Sequence, residues 1–394
     1  MENTPGKIAY LDGIRGVSAL FVFFHHFALI FYISYYGFDP AACHIGNAWE
    51  VGYGRSVFSV LTNGNFFVCV FFILSGFVLS MKYFQTNNIN ILASGAIRRF
   101  LRLYFPMAFT LIVSYLLLTY HGYRNVEVSE ITKSWWFPGQ WKMPDAYKTL
   151  CSCLTTGTLL QGDASLDTSM WSLSYEFFGS MFVYSFLALT HNTRARFVLL
   201  LFMLGYWYAT NQIYMFGFGL GISLNYISSL RLKWNRATKI SIAALLVPIA
   251  LVLGSYPSST DTHDTLFEHL GHTLLEYTAY FHIVGAFFLV ASFVISETLR
   301  RWASLGVFRF LGYISFSLYL IHPIVFGSVS SYSFLFVYKY LPYNSAVAVV
   351  LLITLAATVA ISWFMTKCVD EPGMRLSKYV YNRWVQNKQA TAEN

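Results

Sequence analysis

The chain has 394 residues, of which 56% are hydrophobic and only 11% are charged, and its mean hydropathy is +0.51. A soluble domain carries about 25% charged residues, so this composition excludes a water-soluble globular protein and predicts one embedded in lipid. The net charge of +8 does not indicate a nucleic-acid partner, because the basic residues are scattered between apolar segments and form no basic domain.

Apolar segments of membrane-spanning length recur along the whole chain. A span needs about 20 mostly apolar residues, and we predict ten, of which the fifth and sixth are short: 14–33, 58–81, 101–120, 170–190, 197–211, 213–230, 239–256, 273–296, 311–332 and 345–366. The predicted fold class is therefore all-α, a polytopic membrane helix bundle of about ten transmembrane helices. Residues 1–380 form its single domain, and residues 381–394 form a cytoplasmic tail.

The distribution of lysine and arginine predicts the orientation. If the N-terminus is cytoplasmic, the inner segments hold 20 of the 26 basic residues and the outer loops hold 6. Cytoplasmic loops carry an excess of these residues, so we predict a multi-pass protein with both termini in the cytoplasm. The endoplasmic reticulum, the Golgi and the plasma membrane remain open as its location.

The outer segments in this orientation include one long connection and three cysteines. Residues 121–169 are rich in Trp and Pro and too long for a simple turn, so we expect them to fold over the outer mouth of the bundle. Cys43, Cys151 and Cys153 lie on the same side, where oxidation is permitted. A disulfide from Cys43 to either of the others and three free thiols are both compatible with the sequence. No cysteine–histidine spacing indicates a metal site.

The first span, YLDGIRGVSALFVFFHHFALI, carries ionisable residues where lipid penalises them. Arg15 and His26 are eleven residues apart, which places them within about 20° on one helical face and about 16 Å apart along its axis. Asp12 lies near the same face, whereas His25 points about 100° away. The stripe makes His26, near mid-membrane, a candidate functional residue. The alternative is that His26 only hydrogen-bonds a neighbouring helix.

A basic cluster, AIRRFLRLYFP, begins the third span. Arg99 and Arg102 are i, i+3 neighbours on a helix, so their guanidinium groups can converge, and Arg98 lies beside them in the sequence. Guanidinium groups match phosphate oxygens, so the cluster is a candidate site for a phosphate-bearing ligand at the cytoplasmic side. The alternative is a topological anchor that follows from the positive-inside rule.

Two further spans carry polar residues. In MWSLSYEFFGS, Glu176 lies a turn or two inside the fourth span, with Ser172 one turn before it. In LGYISFSLYLIHPIV, Ser315, Tyr319 and His322 share one helical face. A carboxylate inside a membrane needs a partner or water, so Glu176 and His322 are candidate catalytic or orienting groups. Polar contacts between helices are the alternative.

Five segments carry a family resemblance, and they occur in order between about Tyr10 and about Lys367: YLDGIRGVSALFVFFHHF, FFILSGFVLS, RRFLRLYFP, MWSLSYEFF and SFSLYLIHP. Together they resemble the acyltransferase-3 family of integral membrane acyltransferases, with the Arg-x10-His of the first span and the Arg-x-x-Arg of the third as its specific pair. One run departs, because FFVCV has Phe67 and Cys69 where many members carry a small and a polar residue. That departure bears on the pocket, not on the reaction. The long outer segment and the Trp content favour a eukaryotic branch, fungi included.

The resemblance implies ten helices and a cytosolic acyl-CoA donor, with acetyl-CoA as the expected one. It implies transfer to a hydroxyl of a sugar, lipid or natural product, with no resident cofactor or metal and no nucleic acid. It implies His26 as the catalytic histidine and Arg15 as its companion. Arg99 and Arg102, with Arg98 beside them, are the expected acyl-CoA-binding groups.

The reaction and one rival function stay open at this point. A neutral His26 would act as general base toward the acceptor hydroxyl or as a nucleophile that forms an acyl-imidazole, while Glu176 and His322 would orient the acceptor or tune the base. A proton-coupled membrane transporter is the alternative function, because intramembrane His and Glu also occur in carriers. Inverted repeats would favour the transporter, and the sequence shows none that is detectable.

Overall fold

The computed structural model describes residues 8–46, 48–229, 234–258, 262–268 and 278–383, and no β-strand occurs in these ranges. Their α-helices are, in chain order, α1 Ala9–Phe31, α2 Ser34–Gly37, α3 Trp49–Arg55, α4 Gly64–Thr86, α5 Asn90–Thr119, α6 Asn125–Thr132, α7 Ala146–Ser152, α8 Thr158–Gln161, α9 Trp171–Leu189, α10 Arg196–Ala209, α11 Ile213–Ser229, α12 Arg236–Gly254, α13 Thr278–Ile295, α14 Glu297–Ala303, α15 Gly306–Val325, α16 Ser331–Val337, α17 Tyr343–Met365 and α18 Glu371–Tyr381. The predicted all-α class is confirmed.

Six helical segments of the described chain are long and apolar enough to cross a membrane: Ala9–Phe31, Gly64–Thr86, Asn90–Thr119, Arg236–Gly254, Gly306–Val337 and Tyr343–Tyr381. A seventh exists if α13 and α14, which meet at a bend of 99°, count as one span. These helices make the chain a multi-pass membrane protein.

The count of ten spans is not confirmed, although every predicted span contains a helix. The fourth, fifth and sixth predicted spans contain α9, α10 and α11, and none of these helices is among the six. The helix α10 has 14 residues and is about 21 Å long at 1.5 Å per residue, which is short of a bilayer core of about 30 Å. Residue 230 of the sixth predicted span lies outside the described residues. Residues 273–277 of the eighth predicted span and 384–394 of the predicted tail lie outside the described residues.

The first span lies parallel to α15 along most of its length. A methyl group on Gly16 would lie 2.3 Å from the backbone nitrogen of Gly312, and one on Gly312 would lie 2.1 Å from the carbonyl oxygen of Asp12. Only glycine allows the two backbones to approach this closely. This contact fixes the register of α1 against α15, and both helices begin at the same end of the bundle. We call that end the N-terminal face.

The second span, α4, is the most buried of the six. Asn63 caps it, since the side-chain oxygen of Asn63 accepts a hydrogen bond from the backbone N–H of Phe66 at 3.2 Å. Further along, the ring of Phe72 packs against Phe218 and Tyr214 of α11, with ring centroids 5.5 and 5.1 Å apart. One cluster of aromatic rings therefore lies between α4 and α11, beside the pair formed by α1 and α15.

The opposite end of the bundle carries the longer connections, and we call it the loop face: residues 32–63, 120–170, 255–258 and 262–268. The Ser134 hydroxyl donates to the carbonyl of Leu29 at 2.7 Å, and the ring of Trp136 lies 5.4 Å from that of His26. Part of the long segment 121–169 therefore covers the end of α1. All five cysteines are free thiols, so the structure contains no disulfide from Cys43.

Candidate active site

Two histidines meet where α1 and α15 run side by side. The Nε2 atom of His322 lies 3.1 Å from Nδ1 of His26, and the ring centroids are 5.0 Å apart. His322 is fully buried, whereas His26 is half-buried. The sequence separation of 296 residues is the same for this pair as for Gly16 and Gly312. The close glycine contact therefore sets the register that brings the histidines together.

The remaining contacts assign the protons of both rings. His26 Nδ1 also lies 3.1 Å from the carbonyl of Val22, and His322 Nδ1 lies 3.1 Å from that of Leu318. A carbonyl can only accept, so both Nδ1 atoms carry hydrogen and donate. His322 Nε2 is then the acceptor facing His26. This assignment satisfies all three contacts and leaves His26 Nε2 as an unprotonated nitrogen with a free lone pair.

Three side chains surround this pair. Trp136 covers His26 from the loop face, and the ring of His25 lies 5.0 Å from that of His26. Tyr319, one turn before His322 on α15, donates its hydroxyl hydrogen to Ser172 at 2.8 Å. The predicted face of α15 thus places Tyr319 and His322 toward the same region. Ser315, by contrast, donates to the carbonyl of Gly312 in its own helix.

The predicted carboxylate lies one helix away, on α9. Glu176 forms a buried ion pair with Arg99 and also accepts a hydrogen bond from the Ser75 hydroxyl at 2.8 Å. Arg99 is 7% exposed and donates from Nε to Ser180 at 2.8 Å. A buried carboxylate and a buried guanidinium stabilise each other only when both are hydrogen-bonded. Glu176 therefore pairs with Arg99 and does not contact either histidine.

Arg15 and Arg102 complete a charged cluster around that ion pair. Arg15 donates to Asp12 at 3.4 Å and interacts electrostatically with Glu176 and Arg99. Arg102 is solvent-accessible and interacts with Arg99, Arg15 and Asp370. Three guanidinium groups that face one region give it a positive potential. The cluster is thus accessible through Arg102, while Arg99 is neutralised by Glu176.

Arg98 lies apart from this cluster. Its Nε donates to the carbonyl of Ser94 one turn earlier, and its guanidinium lies 6.0 Å from the ring of Tyr381 on α18. One position on a helix corresponds to about 100° of rotation, so Arg98 and Arg99 face different neighbours. Of the three arginines predicted to bind acyl-CoA, the structure brings Arg99 and Arg102 together with Arg15.

Along α1, apolar side chains lie between the charged cluster and the histidine pair. On the face of α1 shared by Arg15 and His26, Ala19 and Val22 are both at most 1% exposed, and Phe23 beside them is fully buried. The two polar groups are about 16 Å apart along the helix.

The neighbouring helices are polar over the same interval. Ser172 lies one turn before Glu176 on α9 and Tyr319 lies one turn before His322 on α15, and their hydroxyl groups are hydrogen-bonded to each other at 2.8 Å.

A second polar cluster, at the loop face, was not predicted from the sequence. His282 on α13 is fully buried, its Nδ1 accepts from Asn65 at 2.8 Å, and its Nε2 lies 2.8 Å from the carbonyl of Tyr256. Nearby, His25 Nδ1 lies 2.7 Å from the carbonyl of Thr62. Polar residues at a predicted span are functional candidates by default, so Asn65 and His282 carried a signal in the sequence.

The buried Asp167 was also missed. One carboxylate oxygen accepts hydrogen bonds from the backbone and hydroxyl of Ser169 at 2.8 and 2.6 Å, and the other has no hydrogen-bond partner. Asp167 precedes α9 on the loop face, and burial raises the pKa of this carboxyl to about 7. Among the described residues, no group of three or more potential metal ligands occurs.

Comparison with known proteins identifies the family. The family model described as an acyltransferase domain, that of the acyltransferase-3 family, matches residues 8–367, which is nearly the whole chain. The chain belongs to the acyltransferase-3 family. As a member of that family with several membrane-spanning helices, the protein is a membrane acyltransferase, and the match gives the transporter alternative no support. No curated protein and no solved structure gave a significant match to this acyltransferase.

Proposed function

We propose that this acyltransferase moves an acetyl group from cytosolic acetyl-CoA to a hydroxyl group of an acceptor that reaches the site from the loop face. The observation that carries the proposal is the pair of contacts that His26 Nδ1 makes with the Val22 carbonyl and with His322 Nε2. We infer from them that His26 Nε2 has a free lone pair. A nitrogen held in this state can accept a proton without first losing one.

In this mechanism His26 acts as the general base. The acceptor O–H proton moves to His26 Nε2 as the oxygen attacks the thioester carbonyl carbon. The carbon–sulfur bond then breaks, and the proton on His26 passes to the departing thiolate, so His26 ends as it began. His322 stabilises the transient imidazolium because its Nε2 accepts from His26 Nδ1. This is the role that a third group plays in other acid–base sites.

The charged cluster supplies the donor-binding part of the site. Acyl-CoA carries several phosphate charges at one end of a long, thin arm. Arg102 is accessible to those charges, and Arg15 lies within electrostatic range of it. Guanidinium groups bind phosphate oxygens in a bidentate manner. The distance of about 16 Å from Arg15 to His26 along α1 then requires an extended arm to bring the thioester to the histidine.

A second route uses the same lone pair. His26 Nε2 could attack the thioester first, forming an acyl-imidazole and releasing CoA, after which the acceptor hydroxyl attacks the imidazole-bound acyl group. Rapid acid quenching with labelled acetyl-CoA in the absence of acceptor distinguishes the routes. Label that stays on the protein and is lost in His26→Gln supports the covalent route, while unlabelled protein supports general-base catalysis.

The decisive experiment uses purified protein with radiolabelled acetyl-CoA. We expect thioester hydrolysis or labelled acceptor with the wild type, and loss of both with His26→Ala. The matched control is His191→Ala, since His191 contacts Tyr83 at 2.7 Å and lies away from the described site. An intact thioester together with solute counterflow in proteoliposomes would contradict the proposal and favour a carrier.

A further inference from the structure

The indole ring of Trp136 lies against His26 from the loop face. The centroids of the Trp136 and His26 rings are 5.4 Å apart, and the two ring planes are tilted by 43°. Trp136 is half-buried, and among the described residues its side chain makes ring contacts with His26 and Phe137 but no hydrogen bond. The interaction between Trp136 and His26 is therefore a contact between two rings.

The segment that carries Trp136 is held in place by other residues. The Asn125 side chain donates a hydrogen bond to the carbonyl of Phe137 at 3.0 Å. The Ser134 hydroxyl donates to the carbonyl of Leu29 on α1 at 2.7 Å. Phe137 is 1% exposed and anchors the segment in the core. The indole is therefore held beside His26 by contacts that it does not make itself.

The residues on both sides of this segment have left-handed backbone conformations. Lys133 follows α6 with a φ of 57°, and Trp141 has a φ of 56°. Residues other than glycine rarely adopt this conformation, and surrounding contacts hold them there. The Trp141 indole donates to the carbonyl of Leu166 at 3.0 Å and stacks on Tyr123 at 4.1 Å. Backbone constraints of this kind cluster at active sites, and here they enclose Trp136.

The neighbouring Trp135 differs in position and in exposure. Its side chain is 60% exposed, and its ring lies 6.1 Å from that of Tyr36 and makes no contact with His26. Two consecutive tryptophans thus share one segment, but only Trp136 reaches the histidine pair. Trp135 is therefore a matched control for the effect of an indole on this segment.

Either route of the proposed reaction places a positive charge on the His26 ring. His26 Nδ1 keeps its hydrogen, so a proton taken up by Nε2 gives an imidazolium, and acylation of Nε2 gives an acyl-imidazolium. The ionisable neighbours of His26 are His25 and His322, whereas Glu176 pairs with Arg99. No carboxylate of the described residues faces His26, and a buried charge without an opposite charge is costly.

We infer that the Trp136 ring stabilises this positive charge through a cation–π interaction, which makes Trp136 a positioning residue for acyl transfer. The inference rests on the proposed function. The distance of 5.4 Å between the ring centroids is within the range of about 6 Å over which an aromatic face attracts a cation, and tryptophan attracts cations most strongly. The neutral His26 of the resting enzyme gains little from this interaction. Loss of the ring should therefore lower kcat and leave the KM for acetyl-CoA nearly unchanged.

The test changes the electron density of the indole and keeps its shape. Tryptophans that carry one to four fluorine atoms are incorporated at position 136 of the full-length protein, which is then purified into lipid nanodiscs. Each fluorine withdraws electron density from the aromatic face. Turnover of radiolabelled acetyl-CoA is measured as a function of its concentration. We expect log kcat to fall steadily with the number of fluorine atoms, by about tenfold in total, while KM stays within about twofold.

Two sets of controls accompany the series. The same fluorinated residues at position 135 should leave kcat within about twofold of the wild type, because Trp135 does not contact His26. Trp136→Phe keeps a weaker aromatic face and should lower kcat by about threefold, whereas Trp136→Leu should lower it by about thirtyfold. A role in packing alone would not follow the number of fluorine atoms at constant shape.

A further variant separates the aromatic face from the N–H group of the indole. Benzothienylalanine at position 136 has sulfur in place of the N–H group and keeps an aromatic face of nearly the same shape. Its kcat should stay within about threefold of the wild type. A loss as large as that of Trp136→Leu would show that the N–H group donates a hydrogen bond in the reaction, and this result would overturn the inference.

The outcomes separate this inference from the proposed function. A wild type that does not turn over acetyl-CoA overturns both. A wild type that turns over acetyl-CoA, with equal kcat across the fluorinated series at position 136, overturns the cation–π role alone. A series in which KM rises while kcat is unchanged also overturns it, because the ring would then bind substrate and would not act on His26.

Discussion

At the residue scale, the proton on His26 Nδ1 has two acceptors, the backbone carbonyl of Val22 and the Nε2 atom of His322. A mutation of His322 removes the second acceptor and leaves the first in place. Mutation of His322 therefore measures how much its Nε2 atom contributes to catalysis while the tautomer of His26 is kept.

We expect His322→Ala to lower kcat by about 10²-fold, because the imidazolium formed on His26 loses one of its two acceptors in a site with little water. His322→Gln should retain more activity, since a glutamine oxygen can lie where Nε2 lies. The measurement is kcat for both variants at matched folded concentration. Equal kcat for the two variants would contradict a hydrogen-bonding role for His322.

The arginines differ in what their removal does. Arg102→Ala should raise the KM for acetyl-CoA with little change in kcat, because a remote phosphate contact gives uniform binding. Arg98→Ala should have a smaller effect, since Arg98 interacts with Ser94 and Tyr381. Steady-state kinetics with acetyl-CoA as the varied substrate gives the comparison, and a larger KM effect from Arg98→Ala would move the donor site away from the cluster.

Asp167 makes stability depend on pH. Its folded-state pKa is raised to about 7, so the native state holds the proton more tightly than the unfolded chain does. The native state is therefore favoured below about pH 4 and progressively loses that advantage as the pH rises toward about 7. We expect the Tm of Asp167→Asn to exceed that of the wild type by more at about pH 8 than at about pH 4. Parallel Tm profiles for the two proteins would contradict this role for the carboxyl.

At this scale, the sequence predicted that Arg15 and His26 share one face of α1. The eleven-residue spacing places Arg15 and His26 on one face because helical geometry is local. The ion pair between Arg99 and Glu176 could not be predicted, because the sequence does not show which of the polar side chains on different helices meet in the folded bundle. Asp167 was missed since a lone acid next to a loop serine gives the same signal as an exposed turn.

At the element scale, the close approach of α1 to α15 depends on two glycines, which have no side chains. Gly16 and Gly312 meet backbone to backbone, and the histidines ten residues further along are held by the same register. Small residues are common where membrane helices pack closely. The sequence shows these glycines, but it does not show which glycine faces which helix, so the pairing was not predicted.

Gly312→Ala should therefore reduce both stability and activity. The added methyl group would lie 2.1 Å from the Asp12 carbonyl, and overpacking of this kind costs about 1–3 kcal/mol of unfolding free energy. The matched control is Gly306→Ala in the same helix, where a methyl group meets no atom within 4 Å. Thermal unfolding and acetyl-CoA turnover are measured for both. A Gly312→Ala protein with wild-type Tm and kcat would show that the register is not set here.

The short helices mark the other limit of prediction at this scale. Hydropathy detects apolar segments but not how far a helix extends, and α10 ends after 14 residues. The residues between α10 and α11, from 210 to 212, turn the chain back where the sequence showed only a brief polar interruption. The number of apolar segments was therefore predictable, but the number of full spans was not.

At the scale of the whole molecule, the proposed donor and acceptor sites lie toward opposite ends of the bundle. The predicted orientation assigns the N-terminal face to the cytoplasm, and acetyl-CoA is too polar to cross lipid. In sealed inside-out vesicles, acetyl-CoA should be consumed without permeabilisation. In right-side-out vesicles, it should be inert until detergent is added, and activity before detergent would contradict the orientation.

Cysteine labelling checks the same orientation without relying on activity. In a background that lacks the five native cysteines, Ser165→Cys should react with an impermeant reagent applied from outside the cell or from the organelle lumen. Ser94→Cys should be protected until the membrane is opened. Labelling of Ser94→Cys from that side would reverse the orientation and place the arginine cluster away from the cytosol.

The buried apolar side chains of Ala19, Val22 and Phe23 on α1 have a consequence for the membrane as an electrical barrier. Ions would leak across the membrane if the polar regions at the two ends of the protein were joined by a continuous column of water. On α1 these three side chains, none more than 1% exposed, offer no hydrogen-bond partner to a hydrated ion between Arg15 and His26. On the neighbouring helices, the hydroxyl groups of Tyr319 and Ser172 are bonded to each other. We expect vesicles that contain the resting protein to hold a proton gradient as well as vesicles of lipid alone.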